Sequence, residues 1–258
     1  MDFAIKAMQL SIERYISGPQ DRGDDPSRIA VFLDLKNMFN NISREELRDI
    51  VDECFPELVP LVDLLYDTNG EVSFRWEDGS WRRITMIEGA NQGCPLSAIF
   101  AALVLDRVIR PIDGQLKARA AARLADGDKG DDNHGSVANL FGYVDDVATA
   151  VCYDDYDFLH QAFDEEGNAR GCHQNGFKTR ALTSCNGVSI LPTLRVTQPA
   201  MARRIEATLD TYSVKKDPNS PTGTARVELT DGFRHLGTPV GSAKFANEFF
   251  DQQVNEVR

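Results

Sequence analysis

Two periodicities alternate along this chain. Ile29, Ala30, Val31, Phe32 and Leu33 form an uncharged run that ends at Asp34, with polar Lys36, Asn37 and Asn40 beyond it, the pattern of a buried strand. Val137, Leu140 and Phe141 precede Tyr143-Val144-Asp145-Asp146, and Val147, Ala148, Thr149, Ala150 and Val151 follow, which predicts two strands closing on a tight acidic turn. Val72, Phe74 and Trp76 alternate ahead of Glu77-Asp78-Gly79-Ser80, and Trp81 to Ile87 come after it: a hairpin signal. Helical spacing marks the other segments. Met1, Ile5, Met8, Ile12, Tyr15 and Ile16 predict a first helix ending near Gly18, followed by a polar loop from Pro19 to Ser27. Ser43-Arg44-Glu45-Glu46 is a capping-box pattern that starts a helix running to about Cys54. Further helices are predicted from Pro56 through Tyr66, from Pro95 to Ile109, from Tyr156 to Cys172 and from Pro199 to Leu209.

Between these lie two polar stretches. Asp113 to Asn133, rich in Ala, Asp and Gly, reads as a solvated acidic connector. Its Asp126 to Asp132 core resembles a calcium loop, but Gly130 and Val137 would fall on ligand positions. Lys215 to Gly223 is a Pro/Ser/Gly loop, and Val227 to Leu229 and Phe233 to Val240 read as closing strands. Strands and helices in this order, with antiparallel hairpins, predict an α+β fold whose sheet is backed by helices on one face.

The acidic turn brings in chemistry. Two carboxylates side by side raise each other's pKa unless a cation neutralises them, so Asp145-Asp146 suits a divalent metal site, although Asp is also common in plain turns. Asp34, at the end of its strand, is a third carboxylate able to meet them. Gly89-Ala90-Asn91-Gln92-Gly93-Cys94-Pro95-Leu96-Ser97 is a turn-rich entrance to a helix, serving either as an ordinary cap or as a close backbone approach to a phosphorylated ligand.

In this order the three segments resemble the reverse transcriptase family, most closely the type found in non-LTR retrotransposons and group II introns. Phe-Leu-Asp-Leu-Lys-Asn-Met-Phe matches the first palm motif with Asp34 and Phe39, Gln92 to Ser97 match Gln-Gly-x-Pro-Leu-Ser, and Tyr143 to Asp146 match Tyr-x-Asp-Asp. Asn175-Gly176-Phe177-Lys178-Thr179 is similar to the lysine-bearing fourth motif, and Phe233-Arg234-His235-Leu236-Gly237 to the primer-grip hairpin. The resemblance covers residues 29 to 240.

It implies a polymerase palm: RNA-templated extension of a DNA primer with dNTPs, by attack of the primer 3′-hydroxyl on the α-phosphate with two Mg²⁺ ions, Mn²⁺ serving as a substitute. Asp34 and Asp145 would bridge the metals, the Leu35 carbonyl would add a ligand, and Asp146 would support the site electrostatically. Lys178 would neutralise the pyrophosphate, or simply face solvent. Phe39 would exclude a 2′-hydroxyl by bulk, or pack in the core. Gln92 and Gly93 would flank the nascent base pair, Tyr143 and Val144 would touch the primer end, and Phe233, Leu236 and Gly237 would grip the primer. Residues 1–28 would be a remnant of the fingers, 29–240 the palm with 55–92 as a fingers insertion, and 241–258 the start of a connection toward an absent thumb. Asn40, Met38 and Ala98 depart from the family pattern without removing a ligand.

Composition limits this reading. The 40 acidic against 28 basic residues give a formal charge of -12, the wrong sign for a nucleic-acid binder that relies on its own net charge, so a local basic groove or basic segments outside the chain are expected. Five cysteines without a Cys-x-x-Cys pair point to a reduced intracellular protein, and no apolar stretch is long enough to span a bilayer. A catalytically inactive retroelement fragment and an unrelated Mg-dependent phosphohydrolase remain open alternatives.

Overall fold

The computed structural model describes residues 28–66, 70–91, 93–125, 139–143, 145–176, 178–182, 195–196, 199–200, 202–203, 228–230, 232–235, 238–241 and 243–256. The expected first helix and the calcium-loop look-alike lie outside these residues, as does most of the helix expected from Pro199.

The Ile29 run forms strand β1 (Arg28–Asp34). After a turn with Asn37 in the left-handed region, a short helix α1 (Met38–Asn41) follows. Ser43 then caps α2 (Arg44–Cys54), its hydroxyl accepting from the Glu46 amide, which is one half of a capping box, while the Ser43 amide donates to the Arg170 carbonyl. A 3₁₀ turn at Pro56–Leu58 leads into α3 (Val59–Tyr66). The hairpin β2 (Gly70–Arg75) and β3 (Trp81–Met86) stands as its own two-stranded sheet, with Trp81 72% exposed.

The next helix, α4, runs from Pro95 to Ala125, far beyond the expected end at Ile109. The connector expected from Asp113 is therefore helical up to Ala125. Two interactions carry α4 past Pro111: Ile112, Leu116 and Ala120 are buried in the core at helical spacing, and Arg119 and Arg123 pair with the fully buried Asp155. A proline mid-helix removes one hydrogen bond, and these contacts offset that loss.

Strands β4 (Phe141–Tyr143) and β5 (Asp146–Cys152) form the expected acidic hairpin. Helix α5 (Tyr156–Asn168) ends four residues earlier than the apolar pattern suggested; Gly171, with φ 77, turns the chain back toward the sheet. Strands β6 (Arg180–Leu182) and β7 (Glu228–Thr230) complete a five-stranded sheet of order β4-β5-β1-β6-β7, antiparallel except for the β6–β7 pair. A separate hairpin, β8 (Gly232–His235) and β9 (Thr238–Gly241), packs with a final helix α6 (Ala243–Glu256).

The fold is thus α+β, a largely antiparallel sheet backed by helices, the class expected from the sequence. Side chains of directly paired residues share a face. Ile29, Val31 and Leu33 of β1 join Val147 and Val151 of β5 in one core with Leu47, Phe100, Val104 and Phe163 of the helices. Asp34 and its partner Asp146 belong to the other face.

Candidate active site

Register brings the carboxylates together. Asp34 is paired directly with Asp146, and the Leu35 amide donates to the Asp145 carbonyl at 2.8 Å. That bond flanks the Asp34–Asp146 pair instead of joining it, so the two form the closer kind of antiparallel pair, Cα atoms about 4.5 Å apart. Like charges opposed in this way destabilise a sheet. Tyr143 pairs with Asp146 and lies on the same face, 41% exposed. On the helix-facing side, a Cβ at Gly142 would come within 2.9 Å of Leu105 and 3.1 Å of Ile109. A glycine there lets β4 lie directly on α4.

The electrostatics follow from this crowding. Burial, then the Asp145 and Asp34 charges, push Asp146 up to about 6, while Lys178 pulls the other way. Burial also raises Asp34, against the lowering effect of its Asn175 hydrogen bond and the Lys178 charge. Lys178 itself stands 3.6 Å from Asp34 Oδ1 with its side chain 69% exposed. It is an exposed cation at the rim, not a buried partner.

Behind Asp34 sits a segment whose importance the sequence did not reveal. Asn175 donates through Nδ2 to Asp34 Oδ2 at 2.8 Å and through its backbone N–H to the Asp34 carbonyl at 2.8 Å. Gln174, bridged to Leu35, bonds His160 and Asp164 of α5. Burial holds His160 down at about 4, so it is neutral at physiological pH. Asn175 lay inside the fourth motif by sequence, but only the fold places it against a residue 141 positions away.

Other expected site residues gather around α1 and the glycine-rich loop. Phe39 is partly buried and packed against the core, and its carbonyl accepts from the Ala90 amide at 2.6 Å, which ties the glycine-rich loop to α1. Gly89, φ 82, lies so close that a Cβ would meet the Asn40 and Phe39 carbonyl oxygens at 2.6 and 2.7 Å. Gly93 has φ 90 and open space around it. Ser97, fully buried, donates to the Asn91 carbonyl and contacts the Tyr66 hydroxyl, fixing the loop ahead of α4, where Pro95 occupies the first turn. A cavity of about 650 Å³ opens between this loop and the base of the β2–β3 hairpin, lined by Asn40, Val72, Met86, Gly89 and Asn91, with none of the three carboxylates in its wall. Gln92, Val144, Leu236 and Gly237 lie outside the described residues. Phe233 is on β8, in the separate hairpin, not in the main sheet.

A hard cation suits this donor set, which is made of carboxylates that repel one another and backbone carbonyls. Among the described residues no three His, Cys, Asp or Glu side chains are grouped so as to hold a metal ion, so the fit rests on charge and chemistry. Among the described residues, no helix is long and apolar enough to cross a membrane.

No protein-family profile matches the chain, and no curated protein matches it. Solved structures do. Telomerase from Candida albicans in complex with a TWJ fragment of telomeric RNA is 16% identical at a TM-score of 0.47, over 71% of this chain and 32% of that one. Apo telomerase from Candida tropicalis is 13% identical at 0.46, over 72% and 34%. The chain spans about a third of the length of these structures. Likeness at this level does not identify a family.

Proposed function

We propose that this chain is the palm of an RNA-templated DNA polymerase, of the non-LTR retrotransposon and group II intron type, which extends a DNA primer with dNTPs. The observation that supports it is the direct pairing of Asp34 with Asp146, beside Asp145, at the edge of the sheet face away from the helices. Two Mg²⁺ ions bound there would lower the pKa of the primer 3′-hydroxyl and stabilise the charge developing on the departing pyrophosphate. Asp34, Asp145 and Asp146 would hold them, with the Leu35 carbonyl as a further oxygen.

The chain's own groups do the rest by position. Asp34 has Oδ2 tied to Asn175, which leaves Oδ1 for a cation. Lys178, long and exposed, reaches over Asp34 and supplies positive charge where pyrophosphate leaves. Phe39, held by the Ala90 bond, underlies the sugar and excludes a 2′-hydroxyl by bulk. Tyr143, with Val144, supports the primer terminus. Gln92 and Gly93 flank the new base pair, and the hairpin carrying Phe233, Leu236 and Gly237 grips the primer. With a net charge of -12, phosphate contacts would come from a local basic groove or from basic segments outside these residues.

Primer extension on an RNA template with Mg²⁺ or Mn²⁺ tests the reading, with Asp145→Asn as the inactive control. Extension by the wild type and none by the variant is the expected result. No extension by either protein leaves the second reading, a folded but inactive fragment, which the lack of a three-ligand group among the described residues favours. Phosphatase or nuclease turnover without extension would instead mark a metal phosphohydrolase.

A further inference from the structure

We propose that Asn175 is a positioning residue that fixes the direction of the Asp34 carboxylate. The inference rests on the polymerase reading and concerns this chain's own hydrogen bonds. One residue makes two bonds to another: Nδ2 to Oδ2 and backbone N–H to backbone carbonyl, both at 2.8 Å. Together they fix both the backbone of Asp34 and the rotation of its side chain, leaving Oδ1 as the oxygen on the Lys178 side, 3.6 Å from Nζ.

The same residue holds the turn that carries Lys178. Its carbonyl accepts from the Lys178 amide at 3.1 Å and from the amide and hydroxyl of Thr179, each at 3.0 Å. Thr179 is fully buried, which fixes the turn against the sheet. Upstream, Gln174 is gripped by α5: its Nε2 donates to the His160 carbonyl at 2.9 Å and to Asp164 Oδ1 at 2.8 Å, and its Oε1 meets His160 Nδ1 at 2.6 Å. The Lys36 amide bonds the His173 carbonyl at 2.8 Å, laying residues 173–175 alongside the end of β1. A packed helix, a strand segment and one amide therefore fix a single carboxylate. The donor is essential to the role, since an apolar side chain of the same size would fill the space and leave Oδ2 undirected.

Asn175→Leu and Asn175→Ala test this in the whole chain, with Mn²⁺ affinity read by electron paramagnetic resonance and primer extension read separately. Removing a hydrogen-bond partner of a metal ligand is expected to weaken Mn²⁺ binding about 10- to 100-fold and to lower kcat by a similar factor, with KM for dNTP changed by no more than about twofold. A purely structural role would lower the melting temperature and leave Mn²⁺ affinity and kcat as in the wild type; that result in both variants overturns the proposal. Should the wild type bind Mn²⁺ in a manner lost in Asp34→Asn yet extend no primer, the polymerase reading fails while the Mn²⁺ comparison still decides the role of Asn175. A wild type that binds no Mn²⁺ overturns both.

Discussion

Neutralising Asp146 should make the protein more stable while removing a group proposed for catalysis. In the fold its carboxyl is pushed from 3.8 up to about 6 by burial, Asp145 and Asp34. That displacement favours the protonated over the ionised form by about 3 kcal/mol. Because Asp146 is partly exposed, screening by solvent reduces the usable figure to about 1 to 1.5 kcal/mol.

The folded chain holds this proton more tightly than the unfolded one, so the penalty is absent below the unfolded value of 3.8, grows as pH rises toward 6 and stays constant above that. Asp146→Asn keeps the shape and removes the charge. At pH 7.5 in EDTA its melting temperature should exceed that of the wild type by roughly 2–6 °C, at about 2–4 °C per kcal/mol for a chain of this size. The gap should shrink as pH falls toward 4, and Mg²⁺ should narrow it by stabilising the wild type more. A variant melting at or below the wild type at pH 7.5, or a gap of the same size at both pH values, would refute the electrostatic account.

Three further outcomes are expected. Gly171→Ala sets a side chain at φ 77 into the Asn41 carbonyl and should cost more than about 2 kcal/mol, measured by urea midpoint; a loss below about 0.5 kcal/mol would mean the turn after α5 is built differently. Asp155→Ala removes a fully buried carboxylate from Arg119 and Arg123, at about 2–4 kcal/mol; Arg119→Ala, on a side chain 44% exposed, should cost much less by the same melts, and equal costs would contradict the described pairing. Phe39→Ala should increase ribonucleotide incorporation in primer extension if the ring excludes the 2′-hydroxyl, and unchanged selectivity would assign Phe39 to core packing alone.

Much of the fold was legible in short-range pattern. The uncharged run ahead of Asp34, the apolar segments around the acidic turn and the capping box at Ser43 each became the element they announced, because strand alternation and helix caps are set by neighbours in the chain. The extension of α4 past Pro111 was hidden because its support comes from Asp155, about thirty residues on. Ala, Arg and Lys between residues 115 and 125 are good helix formers, yet Pro111, Asp113 and Gly114 together resembled a break. Proximity of the three carboxylates depended on register, which the sequence does not state, although the apolar faces required it. Asn175 was hidden for the same reason as Asp155: its meaning lies in a contact across the sheet.

Helix α4 also has a mechanical consequence. At about 1.5 Å per residue its 31 residues make a rod of about 46 Å. One end is fixed to the loop of Asn91 and Ser97, the middle bears on Gly142, and the far half is clamped to Asp155. Pro111 leaves the Arg107 carbonyl without its usual helical donor, so the rod is weakest between the Gly142 contact and the clamp. The first half is therefore tied to both the glycine-rich loop and the Tyr143 strand, and any bending of α4 should concentrate at Pro111 while α5 stays still.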